Sequence, residues 1–184
     1  MAAGLDVFAQ FGFRGSTLDQ VAKAAGMSKP NVIYYFKSKE EIYTTILKGL
    51  LATWLEPLKM IDPGGDPIEE IVGYMQRKLD LSRDFPRESR LFANEILQGA
   101  PRMTDALEGQ LRDLVAEKSA VIDGWQRAGQ VGPVNAQHLF FSIWALTQHY
   151  ADFDTQVRAV LPGDDPYEAA SQHIEMMLRK TLAP

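Results

Sequence analysis

Residues 28–36 carry an amide, an ammonium group and two phenols at helical spacing. Val32 and Phe36 are four residues apart, so in a helix they share one face and anchor it inward. The outward face then holds Lys29, Asn31, Tyr34 and Tyr35, with Ile33 beside them. These groups can reach phosphates and base edges in a major groove. The pattern favours a DNA-reading helix, and the alternative is an ordinary helical hairpin with a solvated polar face.

Two short helices joined by a tight turn must position these side chains. Thr17 begins the first helix, and Gly26 allows the positive φ that a sharp turn needs. Met27 is expected to fill the turn, Ser28 to cap the second helix, and Pro30 to suit its first turn. Three residues let the first helix pack closely on the second: Val21, Ala22 and Ala25. Together these features predict a helix-turn-helix.

The charge is divided unevenly along the chain. Residues 1–40 hold five basic and three acidic side chains, whereas the remainder holds 14 basic and 21 acidic ones, and the net charge is −5. Lys39 adds positive charge just past the second helix, and the helix N-termini at Thr17 and Ser28 offer backbone N–H groups to phosphate. The acidic total argues against a nucleic-acid surface along the whole chain, but a small basic head remains compatible with it.

The composition excludes several classes of protein. The chain has 184 residues, of which 46% are hydrophobic and 23% charged, as in an ordinary globular protein. It has no cysteine, so disulfides and thiolate chemistry are excluded, and a reducing cytoplasm is the expected location. No apolar run reaches the roughly 20 residues that a membrane span needs. Residues 1–6 lack a basic start and an apolar core, so no secretory signal is expected.

Apolar residues recur three and four apart along almost the whole chain, which predicts an all-α protein. Ser38 and Glu41 have the spacing of a capping box at the start of a long helix. We expect a helix-turn-helix domain over 1–47 and a helical-bundle domain for ligand binding and dimerisation over 48–184. The expected helices, separated by Gly- and Pro-rich breaks, cover 3–11, 17–25, 28–36, 38–61, 67–84, 87–98, 103–129, 135–160 and 165–182.

The expected helix over 135–160 is apolar on two sides. One side contains Leu139, Ile143, Leu146, Tyr150, Phe153, Val157 and Leu161; the other contains Phe140, Phe141, Trp144, Thr147, Gln148 and Ala151. A helix of this kind must bury both sides, one in its own domain and one against a partner. This predicts a dimer through the last two helices; the alternative is a helix at the centre of a monomeric bundle.

Gln148 lies one turn from Trp144 among aromatic residues. A buried amide needs a partner, which is either a neighbouring helix or a polar planar ligand held between rings. Trp54, on the long fourth helix, is a candidate second wall of such a site. The alternative for both tryptophans is plain hydrophobic core.

A series of residues over 5–47 carries a family resemblance: Phe8-Ala9, Gly12-Phe13-Arg14-Gly15-Ser16-Thr17, Val21-Ala22, Ala25-Gly26-Met27-Ser28-Lys29 and Tyr34-Tyr35-Phe36-Lys37-Ser38-Lys39-Glu40-Glu41-Ile42-Tyr43. They resemble the TetR family of one-component bacterial repressors. The resemblance implies a three-helix DNA-binding head, a ligand-binding helical body, and a homodimer on a near-palindromic double-stranded operator. It implies DNA contacts at Thr17, Ser28, Lys29, Pro30, Asn31, Tyr34, Tyr35 and Lys39.

The sequence departs from the family pattern at two points. Ile33 stands where many members carry an aromatic or polar contact residue. The basic arm that usually precedes the first helix is missing, as expected of a truncated chain. These two departures bear on the affinity for DNA and on contact with the minor groove.

The body resembles the branch of this family that regulates pyrimidine utilisation. The likeness is carried by Trp54-Leu55-Glu56-Pro57-Leu58-Lys59, Ser82-Arg83-Asp84, Ser89-Arg90-Leu91-Phe92, Gly99-Ala100-Pro101, Glu117-Lys118-Ser119 and residues 143–153. It implies uracil or thymine as effector, held by Trp54, Trp144 and Gln148, although nearby relatives can recognise another small aromatic or amide. A uracil ring is a flat cyclic imide that can stack on indole and pair with an amide.

The expected mechanism is release from DNA by the effector. Lys39 and Trp54 are 15 residues apart, about 22 Å along one helix. A ligand that moves Trp54 can therefore tilt the helix that carries Lys39, and change the spacing of two recognition helices from the roughly 34–36 Å that successive major grooves require. No cofactor, metal or catalytic residue is expected.

Two further classes stay open at this point. One is a ligand-binding helical dimer that has lost or weakened its DNA binding, which Ile33 favours. The other is a metal-dependent hydrolase built on His149, Asp152 and Asp154. Acidic pairs such as Glu69-Glu70 and Asp164-Asp165 lie near helix starts, where they suit the helix dipole.

Overall fold

The computed structural model describes residues 1–163 and 165–184, and the predicted all-α class is confirmed. Asp164, one of the acidic residues expected near a helix start, lies outside the described residues. The α-helices are α1 (Ala2–Gly15), α2 (Leu18–Ala24), α3 (Lys29–Tyr35), α4 (Lys39–Lys59), α5 (Pro67–Asp84), α6 (Pro86–Leu97), α7 (Thr104–Ala106), α8 (Arg112–Arg127), α9 (Ala136–Asp152), α10 (Asp154–Val160) and α11 (Tyr167–Leu182). A π-helical segment, Leu107–Leu111, joins α7 to α8.

The chain forms two compact units. The first contains Met1–Thr53 together with Arg87–Ala106, and the second contains Trp54–Pro86 together with Leu107–Pro184. Helix α4 begins in the first unit and ends in the second. The division of the sequence at residue 47 stays a prediction.

Local capping defines the helices of the head. The Thr17 hydroxyl accepts a hydrogen bond from the Gln20 amide nitrogen at 3.2 Å, and the Gln20 side chain accepts one from the Thr17 amide at 2.7 Å. This is a complete capping box at the start of α2. Gly26 has φ 65°, as the tight turn required, and the Ser28 hydroxyl caps α3. The helix-turn-helix geometry expected from these residues is therefore present.

One helix-stop signal, Gly12, and one helix-start signal, the Ser38–Glu41 pair, differ from the prediction. Gly12 has φ 67°, which breaks α1, but helical residues resume and continue to Gly15. The Ser38 hydroxyl accepts from the Glu41 amide at 3.1 Å, whereas the Glu41 carboxylate accepts from the Lys37 amide instead of from Ser38. The expected capping box is thus half formed, and its second contact moves back by one residue.

The core of the second unit is built from α5, α8, α9 and α11. Its largest fully buried side chains include Tyr74, Met75, Leu79, Ile122, Phe140 and Ile143. Lys118 is buried and donates to the carbonyl of Ile61, and the Trp125 indole donates to the carbonyl of Pro63, each at 3.2 Å. These two side chains hold the loop between α4 and α5 in place.

Two helices expected to be continuous are interrupted. The expected helix over 103–129 contains the π-helical turn, and Gly109 within it is a poor helix former. The expected helix over 135–160 ends at Asp152 and resumes at Asp154, because Phe153 leaves the helical region with φ −113° and ψ 29°. Asp154 then forms a favourable first turn for α10 and pairs with Arg158 at 2.8 Å.

The assignment of two apolar sides to α9 was only partly right. The buried face combines members of both sides: Leu139, Phe140, Ile143, Thr147 and Ala151. These residues follow 3- and 4-residue spacing, so one face centred between the two expected sides packs inward. Phe141 and Phe153 lie on the exposed side of this segment.

No helix within the described part of the chain is both long and apolar enough to cross a lipid bilayer.

Candidate DNA-binding surface and effector site

The outward face of α3 is fully available. Val32 is buried, whereas Tyr34 and Tyr35 are 83% and 66% exposed. Their rings meet edge to face with centroids 5.1 Å apart, which orients the two phenols relative to each other. Exposed residues of this surface also include Thr17, Ser28, Lys29, Pro30 and Asn31. Seven of the eight residues predicted to contact DNA therefore face solvent in the first unit.

The two predicted lysine contacts are engaged inside the head. The Lys29 ammonium lies 2.8 Å from the Asp19 carboxylate. Lys39 is half-buried and donates to the carbonyls of Phe13 and Ser16, each at 2.7 Å. Its ammonium group also lies 4.4 Å from the Phe13 ring centroid. Lys39 therefore positions the backbone just before Thr17 and keeps its charge beside the start of α2.

Met27 does not fill the turn as expected. Its side chain is exposed, and the turn is closed by backbone hydrogen bonds from Met27 to the carbonyl of Ala22 and from Gly26 to that of Lys23. Phe36, expected inside, is half-buried at the end of α3. Val32 is thus the main inward anchor of the recognition helix.

Arg102 fastens residues 95–102 to the head within the first unit. Its guanidinium carbon lies 3.8 Å from the Phe13 ring centroid, and its nitrogens lie 3.1 Å from the Glu40 carboxylate and 3.4 Å from that of Glu95. Glu95 is only 1% exposed. Burial and the neighbouring Glu95 carboxylate raise the pKa of Tyr43 to about 12, so its phenol donates to Glu95 as a neutral group. Sequence reasoning missed this cluster.

Helices α5 and α9 bring the predicted ligand residues Trp144 and Gln148 to one seam. The Trp144 indole donates a hydrogen bond to the Tyr74 hydroxyl, and burial raises the pKa of Tyr74 above its usual value. Lys78 follows Tyr74 by one turn on α5, and Gln148 follows Trp144 by one turn on α9. The Asp152 carboxylate, one further turn along α9, attracts the Lys78 ammonium. Paired stripes of polar and aromatic side chains therefore run along this seam.

Trp54, the third predicted ligand residue, joins the seam through Lys78. Trp54 is 7% exposed, and the Lys78 ammonium lies 5.5 Å from its ring centroid. Phe85 meets the same indole edge to face at 6.4 Å. The buried indole nitrogen of Trp54 has no hydrogen-bond partner among the described residues. Trp54 therefore lies beside Lys78. Trp144 lies beside Tyr74, which precedes Lys78 by one turn of α5.

Lys78 is the functional candidate that sequence reasoning missed. It is 4% exposed, and burial lowers its pKa to about 8 despite the opposing attraction of Asp152. One signal was present: Lys78 interrupts an inward-facing series that contains Ile71, Met75 and Ser82. A lysine at such a position is either a snorkelling side chain or a buried functional one, and only the packing distinguishes the two.

A concavity of about 350 Å³ lies between α5 and α11. None of the predicted effector residues lines it; its wall includes Gln76, Asp80, Arg83, Glu168 and Ser171. The Ser171 hydroxyl already donates to the Gln76 carbonyl oxygen. The groove thus contains charges of both signs, its Gln76 amide is already hydrogen-bonded within the unit, and we assign no effector to it.

The residues of the metal-hydrolase alternative are not assembled. The exposed His149 ring stacks on Phe153 with centroids 5.0 Å apart, and Asp154 pairs with Arg158. Over residues 1–163 and 165–184, no three side chains of the metal-binding types form a group.

Comparison with known proteins gives two family matches and several relatives. A family described as "Bacterial regulatory proteins, tetR family" matches residues 1–46, and one described as "YcdC-like protein, C-terminal region" matches residues 47–184. The chain is 51% identical over 160 residues to the HTH-type transcriptional regulator RutR of Escherichia coli (strain K12), which covers 87% of this chain and 76% of that protein. It is 23% identical over 141 residues to an uncharacterized HTH-type transcriptional regulator, YhgD of Bacillus subtilis, covering 74% of this chain and 72% of that one.

Solved structures share the fold at lower sequence identity. A bacterial regulatory protein in the tetR family from Rhodococcus RHA1 has a TM-score of 0.78 at 20% identity, covering 100% of this chain and 95% of that one. The putative transcriptional regulator SCO4942 from Streptomyces coelicolor has a TM-score of 0.77 at 24% identity, covering 98% and 94%.

Proposed function

Because the chain belongs to the TetR family of bacterial regulatory proteins, we propose that it is a repressor that binds a near-palindromic operator as a homodimer and is released by a small planar effector such as uracil or thymine. The resemblance expected from the sequence is confirmed, and the chain is a DNA-binding transcriptional regulator, not an enzyme. Such a regulator acts on the chromosome, so we assign it to the cytoplasm.

The exposed face of α3 is the observation that carries the DNA-binding half of this proposal. Asn31, Tyr34 and Tyr35 are held on a capped helix whose inner side is anchored by Val32, and nothing in their own unit covers the two phenols. Side chains fixed in this way can enter a major groove without unfolding or repacking the head. The match of one family to 1–46 and the other to 47–184 supports a DNA-binding domain over 1–47 and a ligand-binding and dimerisation domain over 48–184.

The exposed apolar residues near the carboxyl end support the homodimer. Regulators of this family bind DNA as dimers. Phe141 on α9 and Met176 and Met177 on α11 are large apolar side chains left on the surface, and Phe153, just after α9, is also exposed. Apolar surface of this kind, where it is contiguous, can mark a protein–protein interface. We propose that α9 and α11 of two copies pair through these residues.

The seam between α5 and α9 supports the proposal that the chain binds a small planar effector. Trp54 and Trp144 supply aromatic surfaces, Gln148 supplies an amide, and Lys78 supplies a buried cation. This combination of apolar walls and a few polar groups is typical of small-molecule sites. We therefore propose Trp54, Trp144, Gln148 and Lys78 as the effector-binding residues.

Helix α4 offers the route from effector to DNA. It is one helix from Lys39 to Lys59, so its N-terminal turn is about 22 Å from the turn of Trp54. Lys39 holds the carbonyls of Phe13 and Ser16, which precede α2. A ligand that shifts Trp54 would thereby move the support of the head and change the separation of the two recognition helices, which operator binding needs at roughly 34–36 Å.

The first test is operator binding by the full chain. An operator is obtained by selecting random-sequence DNA on the protein, and its dissociation constant is measured by fluorescence anisotropy at several salt concentrations, with the mass of the complex from light scattering. We expect a dimer on one operator and affinity that falls steeply with salt, because phosphate contacts release counterions. A second candidate is a ligand-binding dimer with weakened DNA binding, which the apolar Ile33 on the α3 surface favours. A chain that binds uracil but selects no DNA would support this second candidate.

A further inference from the structure

Residues 13–17 join the kink in α1 to the start of α2. Gly12 has φ 67° and ψ 172°, so the regular geometry of α1 is interrupted just before Phe13. The buried Ser16 hydroxyl donates to the Gly12 carbonyl at 2.6 Å, and Thr17 caps α2. Because the helical pattern is interrupted at this junction, side-chain contacts must fix the direction in which the chain enters α2.

Two cations converge on the Phe13 ring and hold this junction. The Lys39 ammonium lies 4.4 Å from the ring centroid and donates to the carbonyls of Phe13 and Ser16. The Arg102 guanidinium carbon lies 3.8 Å from the same centroid. Lys39 belongs to α4, whereas Arg102 comes from the segment that follows α6. The junction in the head is therefore supported by a side chain from outside residues 1–47.

Arg102 is itself held in place by two carboxylates. Its Nε lies 3.1 Å from the exposed Glu40 carboxylate, and its Nη1 lies 3.4 Å from the buried carboxylate of Glu95. The Arg102 backbone amide also donates to Glu95 at 3.1 Å. A planar guanidinium can stack on a ring and bind carboxylates at its edge at the same time. Because Glu40 follows Lys39 in the first turn of α4, one cluster joins Arg102 to the residue that grips the junction.

The direction of the chain at this junction determines where the recognition helix lies. Helix α2 packs on both α1 and α3 within the first unit. A change of direction at Thr17 therefore moves α2, and Asn31 and Tyr34 move with α3. Hydrogen bonds to base edges depend on the exact position of a side chain, whereas attraction to the phosphate backbone tolerates small shifts. Displacement of α3 should thus cost sequence recognition more than general affinity for DNA.

We propose that Arg102 is a positioning residue for operator binding, which fixes the entry into α2 through the Phe13 ring and is itself held by Glu40. Arg102 contacts no DNA in this arrangement and acts through the placement of α3. This inference rests on the proposed operator binding by the α3 surface. It adds a residue outside the helix-turn-helix on which recognition by that surface depends.

Glu40→Gln gives the sharpest test, because charge and positioning predict opposite signs. If charge alone matters, removing an acidic side chain from the head strengthens binding to a polyanion. If Glu40 holds Arg102, the same change weakens binding to the operator. Asp19→Asn is the matched control, because Asp19 is also a head carboxylate in an ion pair, and its side chain is 66% exposed against 63% for Glu40.

Dissociation constants of the full chain are measured by anisotropy for the selected operator and for an unrelated duplex of the same length. We expect Glu40→Gln to weaken operator binding about three- to tenfold, and Arg102→Met at least about tenfold, while binding to the unrelated duplex stays equal or tightens. The double variant should bind the operator about as weakly as Arg102→Met alone, because both changes break one cluster. Asp19→Asn should bind the operator as tightly as wild type or more tightly.

Three outcomes would overturn the role of Arg102. They are operator binding by Glu40→Gln that equals or exceeds that of wild type, an equal loss of affinity for both duplexes, and an equal loss of operator affinity in Asp19→Asn. Glu40→Gln breaks an exposed pair, so it decides the question even if Arg102→Met, which also strips the buried Glu95 of its cation, fails to fold. Circular dichroism checks that each variant is folded at the assay temperature.

Failure of this inference is distinguishable from failure of the proposed function. If wild type selects no operator, the proposed operator binding fails and this inference fails with it. If wild type selects an operator and Glu40→Gln binds it with unchanged affinity, the operator-binding function stands and only the positioning role of Arg102 is rejected.

Discussion

The surface of α3 and the seam between α5 and α9 prepare for their ligands in opposite ways. In the head, the caps at Thr17 of α2 and Ser28 of α3 satisfy backbone groups locally, and the outward side chains of α3 extend into water. In the seam, the N–H of Trp54 is withdrawn from water with no acceptor among the described residues, and the Lys78 cation is buried beside the Trp54 ring. The proposed DNA surface therefore has its local polar groups satisfied before it is used, whereas the proposed effector site keeps one buried donor, the Trp54 N–H, that a ligand could satisfy.

This contrast also explains how much could be predicted from the sequence. The head was predictable because its signals are local: Thr17, Gly26 and Ser28 act on residues within three or four positions. Even there the Gln20 half of the capping box was missed, because a glutamine has many possible roles. The all-α class was predictable because the 3- and 4-residue spacing of apolar residues runs through most of the chain.

The missed residues depend on contacts between distant parts of the chain. Arg102 reaches Glu40 across 62 residues, and Lys78 meets Trp54 only because α5 packs beside the end of α4. Each is an ordinary charged residue when its neighbours in sequence are considered alone. The shifted face of α9 has the same origin, since tertiary packing buried a face centred between the two sides that the sequence suggested.

The largest expected effect is a loss of operator affinity when exposed side chains of α3 are removed. The double variant Asn31→Ala/Tyr34→Ala should weaken operator binding by roughly 100-fold or more, because each lost base or phosphate contact contributes about 1–3 kcal/mol. The free energy of unfolding should change by less than about 0.5 kcal/mol, because both side chains are exposed. Anisotropy and urea unfolding measure the two quantities. Leu97→Ala, at an equally exposed apolar residue of the same unit, should leave both unchanged; full operator affinity in the double variant would remove α3 from the DNA surface.

Removing a paired charge in the first unit should be costly. Arg102→Ala leaves the buried Glu95 carboxylate without its cation, and we expect a loss of about 2–4 kcal/mol in the free energy of unfolding. Arg158→Ala breaks an exposed pair with Asp154 and should cost less than about 0.5 kcal/mol. Equal effects of the two variants in urea unfolding would contradict the role of Arg102 in fastening residues 95–102 to the head.

Removing the buried cation of the second unit, Lys78, should change stability in the opposite direction. Lys78→Met replaces a buried cation by an apolar side chain of similar length, and it should stabilise the ligand-free protein by about 1–3 kcal/mol at pH 7. Chemical unfolding without ligand measures this. A clear loss of stability would show that the attraction of Asp152 outweighs the cost of burying Lys78.

The smallest expected effect is a pH dependence of stability. The pKa of Lys78 is about 8 in the folded chain and 10.5 as an ordinary lysine, so between these values the unfolded chain binds more protons. The stability of ligand-free wild type should therefore rise by about 1–2 kcal/mol from pH 8 to pH 10, relative to Lys78→Met. Measurement stops at pH 10, because the raised pKa of Tyr43 lowers stability at higher pH. Parallel curves for the two proteins would contradict the lowered pKa of the buried Lys78.

Operator affinity as a function of uracil concentration tests the central claim most directly. Labelled operator and wild-type protein are held at fixed concentrations, uracil is titrated, and anisotropy reports the bound fraction while a thermal shift reports uracil binding. We expect saturating uracil to weaken operator binding at least about tenfold, a coupling within the usual range for allosteric proteins. A thermal shift that shows uracil bound while the operator affinity stays unchanged would contradict release by the effector.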